Sequence, residues 1–123
     1  MKKIFNVVIY SDINLKDYEI FKNKCDNILS RKLNNSEVSV KILTGEDNWM
    51  TEKYANEKKL ELKIIPADWK NHGKMAGIKR NQQLVEIGNA CIIFMENGGE
   101  NKGLDDLKKK AEKEKLLIRS IKI

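Results

Sequence analysis

The residues best suited to chemistry in this chain lie between positions 64 and 81, in a stretch that joins an apolar run to the start of a helix. The stretch contains the only proline, then Asp68 and Trp69, and later Arg80 and Asn81. A guanidinium early in a helix can make a two-pronged contact with a phosphate or a carboxylate. Asp68 can either cap the segment that follows it or bind ribose hydroxyls. Taken alone, Arg80 fits better as a surface arginine paired with a nearby acid, so other features must support a binding role.

A second candidate for ligand binding is the loop that carries Gly98, Gly99 and Gly103. Such a loop can bring backbone N–H groups close to an anion, and the helix after it adds its positive N-terminal end. Glycine pairs also form simple turns. Because the loop follows the most continuously apolar strand of the chain, its position favours a binding role.

Other catalytic arrangements are not readable in the sequence. His72 is the only histidine, so no Ser-His-Asp or Cys-His arrangement can be assigned by spacing. A single histidine in a Gly-containing loop is typical of an exposed residue. Tyr10-Ser11-Asp12 supplies no glycine after the first strand, which counts against an ordinary dinucleotide-binding loop.

The elements that position these residues alternate regularly between strands and helices. Short apolar runs predict strands over residues 4–10, 38–43, 60–65, 90–95 and 116–123, and apolar residues at helical spacing predict helices over about 15–33, 49–58, 74–87 and 104–111. This alternation predicts right-handed crossovers and one α/β domain over residues 1–123. We expect a Rossmann-like three-layer sandwich with a mostly parallel five-stranded sheet in the order 3-2-1-4-5.

With the first strand in the centre, the loops after strands one, two and four converge on one crevice at the carboxyl edge of the sheet. The stretch from 64 to 81 forms a wall of that crevice. The residues predicted to bind a ligand there are Ser11, Asp12, Thr44, Gly45, Asp68, Arg80, Asn81, Glu96, Gly98, Gly99 and Gly103.

Composition limits the class of protein. The net charge is +6, but much of the positive charge lies near the C-terminus, where acidic residues interleave with lysines, a pattern typical of a solvated helix face. A nucleic-acid partner is therefore not favoured. No apolar run approaches the length of a membrane span, and the N-terminus lacks the apolar core of a signal peptide. Cys25 and Cys91 are predicted to be buried small hydrophobes, which fits a reducing cytoplasm.

The pattern of residues in the central stretch resembles the YspA-related branch of the SLOG superfamily, a Rossmann-like group that includes the Smf/DprA and LOG proteins. The residues that carry the resemblance are Pro66-Ala67-Asp68-Trp69, Gly73, Ala76-Gly77, Arg80-Asn81 and Gly98-Gly99. The resemblance extends from about Ile4 to the C-terminus. It implies a Rossmann-like domain that binds a nucleotide or nucleotide-derived ligand, in a setting of nucleotide signalling and conflict between bacteria and phages. On the family pattern, Arg80, Asn81 and the glycine loop lie at the pocket, and Trp69, Gly73 and Gly77 shape it.

The chain departs from the family pattern at several positions. Related proteins have a Gly-Arg element where this chain has Ser11-Asp12, and a longer glycine-rich loop where it has Thr44-Gly45-Glu46-Asp47. LOG enzymes, which release a base from a nucleoside monophosphate, carry a Gly-Gly-x-Gly-Thr-x-x-Glu pattern, and Leu107 stands here in place of its glutamate. That substitution disfavours LOG-type hydrolysis unless Glu96 or Glu100 replaces the missing acid.

Three functions follow from these observations. The first is a cytoplasmic sensor or sequestering protein for a nucleotide-derived molecule, of phage or mobile-element origin, without a cofactor and not an enzyme. The alternative is a nucleotide N-glycosidase or phosphoribosyl hydrolase that uses Glu96, Glu100 or Asp68 as its acid. A nucleic-acid-binding module is the second alternative, suggested by net charge and the DprA relationship. We also expect a homodimer or higher oligomer, to which Trp49 and Trp69 contribute an apolar surface.

Overall fold

Five parallel strands form the middle layer of the structure, a computed structural model that describes residues 2–123. The strands are β1 (Lys3–Ser11), β2 (Val38–Thr44), β3 (Glu61–Ile64), β4 (Ala90–Met95) and β5 (Leu117–Lys122). The helices are α1 (Tyr18–Leu33), α2 (Trp49–Glu57), α3 (Trp69–His72), α4 (Ala76–Ile87) and α5 (Lys102–Lys113). The sheet order is β3-β2-β1-β4-β5, and every pairing is parallel, which confirms the predicted fold.

The central strands are apolar because helices cover both of their faces. Val7, Val8 and Ile9 of β1 are fully buried, and every residue of β4 is buried. Alternate residues of these strands contribute to two separate clusters. The cluster on one face joins α1 and α2 to the sheet, and the cluster on the other joins α4 and α5 to it. These two clusters form the interfaces between the sheet and the helix layer on each of its faces, as in a three-layer sandwich.

The carboxyl ends of β1 and β4 lie side by side in the centre of the sheet. Their register pairs Ser11 with Phe94, so the two strands end at the same level. The chain crosses from β1 towards β3 in one direction and from β4 to β5 in the other. The winding therefore reverses between β1 and β4, and at such a reversal the loops diverge and leave a crevice.

The segment before α4 differs from the predicted single helix over 74–87. A short helix, α3, comes first, followed by a 3-10 turn over Gly73–Met75, and α4 begins at Ala76. Asp68 causes the early start, because its Oδ1 accepts a hydrogen bond of 3.2 Å from the backbone N–H of Asn71. Gly73, with φ of 50°, then lets the chain leave the α3 conformation. Capping is one of the two roles predicted for Asp68, and the predicted helix over about 74–87 corresponds to the 3-10 turn and α4.

The start of α1 also differs from the prediction, and for a similar reason. The helix begins at Tyr18 instead of Leu15, since Asp17 is its N-cap and accepts a hydrogen bond of 3.2 Å from the N–H of Ile20. Within residues 2–123 no helix has the length and apolar character needed to cross a membrane.

Candidate functional site

A cavity of about 350 Å³ lies at the carboxyl edge of the sheet, where the winding reverses between β1 and β4. Its wall combines the end of β1, the loop after β2, the start of α4 and the start of α5. The lining residues are Tyr10, Ser11, Ile13, Glu46, Asp47, Asn48, Trp69, Arg80, Asn81, Asn101, Gly103, Leu104 and Leu107.

Arg80 is the cation of this cavity, and it is held without an acidic partner. Its side chain is 9% exposed, and no carboxylate within residues 2–123 comes within 4.0 Å of its nitrogens. Nε donates a hydrogen bond of 3.2 Å to Oδ1 of Asn81, and the guanidinium carbon lies 5.1 Å from the centre of the Tyr10 ring. Nη1 is buried and has no hydrogen-bond partner in the described chain. The protein therefore brings a positive charge without an acidic partner to the cavity wall.

Space for this guanidinium depends on Gly45, at the end of β2. A Cβ atom at this position would collide with Nη1 of Arg80 and would lie 2.7 Å from Cε2 of Tyr10. Any side chain here would displace the arginine or the tyrosine ring. Gly45, which was predicted to bind the ligand, does not line the cavity but makes room for the residue that does.

Asn81 connects the cation to α5. Its Nδ2 donates to the carbonyl oxygen of Gly103 and to Oδ2 of Asp106, each at 3.0 Å, while its Oδ1 accepts from Arg80. Asp106 is itself paired with Lys110. Since both hydrogens of the Asn81 amide are engaged within the protein, its main effect is to orient the guanidinium.

The start of α5 forms the part of the wall opposite β1. Asn101 is the N-cap, and its Oδ1 accepts a hydrogen bond of 3.0 Å from the N–H of Leu104. The first N–H groups of a helix have no intrahelical acceptor, and the positive end of the helix dipole lies there. This helix end adds to the attraction that Arg80 exerts on an anion.

The loop after β2 places two carboxylates on the wall. Oε1 of Glu46 accepts hydrogen bonds from Nε1 of Trp69 at 3.0 Å and from the N–H of Ala67 at 3.3 Å, and so ties this loop to the segment after β3. Asn48 ties the same loop to β1, because its Oδ1 accepts from the N–H of Ser11 at 2.8 Å. Asp47 is exposed and has φ of 62°.

Tyr10 supplies an uncharged surface beneath the guanidinium. Burial raises the pKa of its phenol, and the charges of Glu46 and Asp47 raise it further, while Arg80 and a hydrogen bond from Asn48 act in the opposite direction. The raised pKa keeps the phenol neutral at physiological pH. It therefore does not compete with a ligand for the charge of Arg80.

The structure brings some predicted site residues together and separates others. Ser11, Arg80, Asn81 and Gly103 line the cavity. Those outside its lining are Asp12, Thr44, Gly45, Asp68, Glu96, Gly98 and Gly99.

Two of the residues outside the lining have local structural contacts. Asp12 is buried, and its carboxylate accepts hydrogen bonds from the N–H of Asn14 at 2.9 Å and from Nδ2 of Asn101 at 3.4 Å. Asp68 is exposed and caps α3; hydrogen bonds from the side chain and backbone of Asn71 lower its pKa. Thr44 is fully buried at the end of β2, and its Oγ1 has no hydrogen-bond partner in the described chain.

The glycine loop after β4 is a simple turn. Gly98 has φ of 79°, and the N–H of Gly99 donates to the carbonyl oxygen of Glu96 at 3.0 Å. The N–H of Asn97 donates to the carbonyl oxygen of Ile123 at 2.8 Å, so the turn is tied to the end of the chain at the edge of the sheet. Of this loop, only its later part, from Asn101 onward, reaches the cavity.

Sequence reasoning did not select several lining residues. Tyr10 reads as one more apolar strand residue, and Glu46 and Asn48 as parts of a polar turn. Asn101 had a detectable signal, since an Asn three residues before an apolar helix position is a common N-cap. Leu107, which stands where the resemblance would place a catalytic glutamate, does line the cavity and is fully buried.

Across the described residues, no group of three His, Cys, Asp or Glu side chains is placed to hold a metal ion. Neither a protein-family model nor a curated protein matches this chain. The function must therefore be argued from the cavity itself.

Proposed function

We propose that this protein binds a nucleotide or nucleotide-derived small molecule, as a sensor or a sequestering protein, with an anionic group of the ligand against Arg80. The observation that carries the proposal is the buried guanidinium without a carboxylate partner. A buried charge is costly unless it is paired, and a ligand anion at the cavity wall would supply the missing partner. A guanidinium in this position is suited to a phosphate or carboxylate group.

Other features of the wall suit the rest of such a ligand. The Trp69 ring is 57% exposed, lines the cavity and is held by Glu46, so a planar base could stack on it. The volume of about 350 Å³ falls within the range of small-molecule sites. The amide of Asn101, which is partly exposed, keeps one hydrogen that is not donated within the protein and so offers a donor to a sugar hydroxyl or a base edge.

Isothermal titration calorimetry against a panel of nucleotides, cyclic dinucleotides and ADP-ribose derivatives tests this proposal. We expect at least one member to bind the wild-type protein and to lose at least tenfold in affinity on Arg80→Met. The matched control is Lys79→Met, which removes a positive charge from an exposed neighbour on the same helix. If a folded wild-type protein binds none of the panel, or if both variants bind as tightly as wild type, the proposal is wrong.

The cavity offers little support for the hydrolase alternative. Glu96, Glu100 and Asp68, the acids considered for it, are all exposed and lie outside the lining residues. Leu107 places an apolar side chain where a LOG-type enzyme would carry its acid. Incubation with nucleoside monophosphates should therefore release no free base, as measured by chromatography. Release of base faster than in a buffer blank would support the hydrolase alternative instead.

We further propose that the chain forms a homodimer through the surface around α3 and the start of α4. Trp69, Met75 and Ile78 are all exposed there, and Met75 and Ile78 are three residues apart. Trp49, also considered for this role, is half-exposed, and its ring centre lies 6.2 Å from that of Tyr18. Sedimentation velocity should show that the wild-type protein is a dimer and that Met75→Glu is a monomer. A monomeric wild-type protein would refute the proposed homodimer.

A further inference from the structure

The residues that line the cavity carry more negative than positive side-chain charge. Arg80 is the only cation among the lining residues, whereas Glu46 and Asp47 place two carboxylates on the same wall. Neither carboxylate is within 4.0 Å of the guanidinium, so they do not cancel its charge by direct pairing. An anion that approaches Arg80 therefore meets one attractive charge and two repulsive ones.

One of the two carboxylates is held in place. Glu46 is fixed by the indole N–H of Trp69 and the N–H of Ala67, which share its Oε1. Asp47 follows directly in the chain and is exposed, and its backbone is in the left-handed region at φ of 62°. The loop as a whole is anchored to β1 through Asn48 and Ser11. The repulsion from Glu46 is therefore a fixed property of the wall, and Asp47 adds to it from an anchored backbone.

No second side-chain cation lines the cavity, and Lys102, between the lining residues Asn101 and Gly103, is exposed and outside the lining. Asp12 lies behind the wall, where its carboxylate accepts from Asn101, and Tyr10 is a neutral phenol. The other positive contribution is the N-terminal end of α5, which amounts to about half a charge. One guanidinium and one helix end can balance a single negative charge, but not several.

We propose, on the premise that the cavity binds nucleotides as argued above, that Glu46 and Asp47 are specificity determinants that restrict the site to ligands with one negative charge. A cyclic phosphodiester or a carboxylate satisfies this condition, and a polyphosphate does not. Each further charge on a ligand would lie near the two carboxylates. At a separation of about 10 Å near a protein surface, repulsion from a single carboxylate already lowers affinity by roughly tenfold or more.

A charge series of otherwise similar ligands tests this inference. Cyclic AMP, AMP, ADP and ATP carry one, about two, about three and about four negative charges near pH 7.5. The corresponding guanine series is measured in parallel by calorimetry at low salt, where screening is weak. For the wild-type protein we expect the affinity to fall from the cyclic nucleotide to the triphosphate.

The variant is the double substitution Glu46→Gln and Asp47→Asn. Gln keeps a carbonyl oxygen that can accept from Trp69, and Asn tolerates the left-handed backbone, so the fold should persist. We expect every ligand of the series to gain affinity, and the triphosphate to gain at least tenfold more than the cyclic nucleotide, because each further ligand charge is relieved of the same repulsion. Glu112→Gln, an exposed acid on α5 outside the cavity, is the control and should leave the series unchanged.

The outcomes separate this inference from the proposed function. If the wild-type protein prefers the triphosphate, or if the double variant keeps the wild-type ratio of cyclic-nucleotide to triphosphate affinity, the charge selection is wrong while nucleotide binding stands. If neither series binds but another member of the wider panel does, the selection is likewise overturned. If nothing binds at all, both proposals fail.

Discussion

Replacing Arg80 by Met separates a binding role from a structural one. Met has a similar length and a good helix propensity, so the change removes the guanidinium with little loss of packing volume. A structural arginine buried in an ion pair would be expensive to remove, because its partner would remain as an unpaired buried charge. Arg80 has no such partner, since no carboxylate lies within 4.0 Å among the described residues.

The expected change in the free energy of unfolding follows from opposing contributions. The substitution loses the hydrogen bond from Nε to Asn81, about 1.5 to 3 kcal/mol for a charged donor, and the contact with the Tyr10 ring, about 0.5 to 1 kcal/mol. It relieves the unpartnered Nη1 group, about 1 to 3 kcal/mol, and ends the burial of an unpaired charge. The net change should lie within about 1 kcal/mol of zero. Loss of a buried ion-pair partner would instead cost about 3 to 5 kcal/mol.

Urea unfolding followed by circular dichroism measures this change directly. We expect the free energies of unfolding of Arg80→Met and of the exposed control Lys79→Met to lie within about 1 kcal/mol of the wild-type value. The slope of the free energy against urea concentration, the m value, should be unchanged. In a thermal scan this corresponds to a shift of no more than roughly 3 to 6 °C. Binding should be lost in Arg80→Met alone. A destabilisation of about 3 kcal/mol or more would refute the reasoning, since it would mean that the guanidinium stabilises the fold.

Two other substitutions test the packing of the site and of the core. Gly45→Ala should destabilise the protein by about 1 to 3 kcal/mol in urea unfolding, because its Cβ would collide with the guanidinium of Arg80. Gly77→Ala is the matched control: its Cβ would lie 3.7 Å from the Trp69 ring, and alanine favours the helix, so stability should hold or rise. Burial and a hydrogen bond to Asp26 raise the pKa of Tyr54 above its ordinary value of 10.0, so stability should fall as pH rises above 10.0. In Tyr54→Phe, the free energy of unfolding should fall less steeply between pH 8 and 11 than in the wild type. A fall as steep as that of the wild type would contradict the role assigned to Tyr54.

The fold was predictable because its determinants are local along the chain. The apolar run of β4 was located at its true bounds, Ala90–Met95, since a strand buried on both faces contains no polar break. The alternation of strands and helices then restricts the topology to few arrangements. The short helix α3 shows the limit of this reasoning. It is too short to produce a periodic pattern, and only its cap, Asp68, indicates it.

The sequence was sufficient to predict the position of the crevice and four of the residues that line it, but not the contacts between them. It predicted that the ends of β1 and β4 would meet and that Arg80 would lie early in a helix beside them. The packing of the layers was needed to show that Asn81 orients the guanidinium, that Gly45 makes room for it and that the Gly98-Gly99 turn lies outside the cavity. Periodicity along a chain indicates which face of an element is buried. Which polar groups meet across elements depends on distances of a few ångströms between segments far apart in sequence, and these are set only when the layers pack.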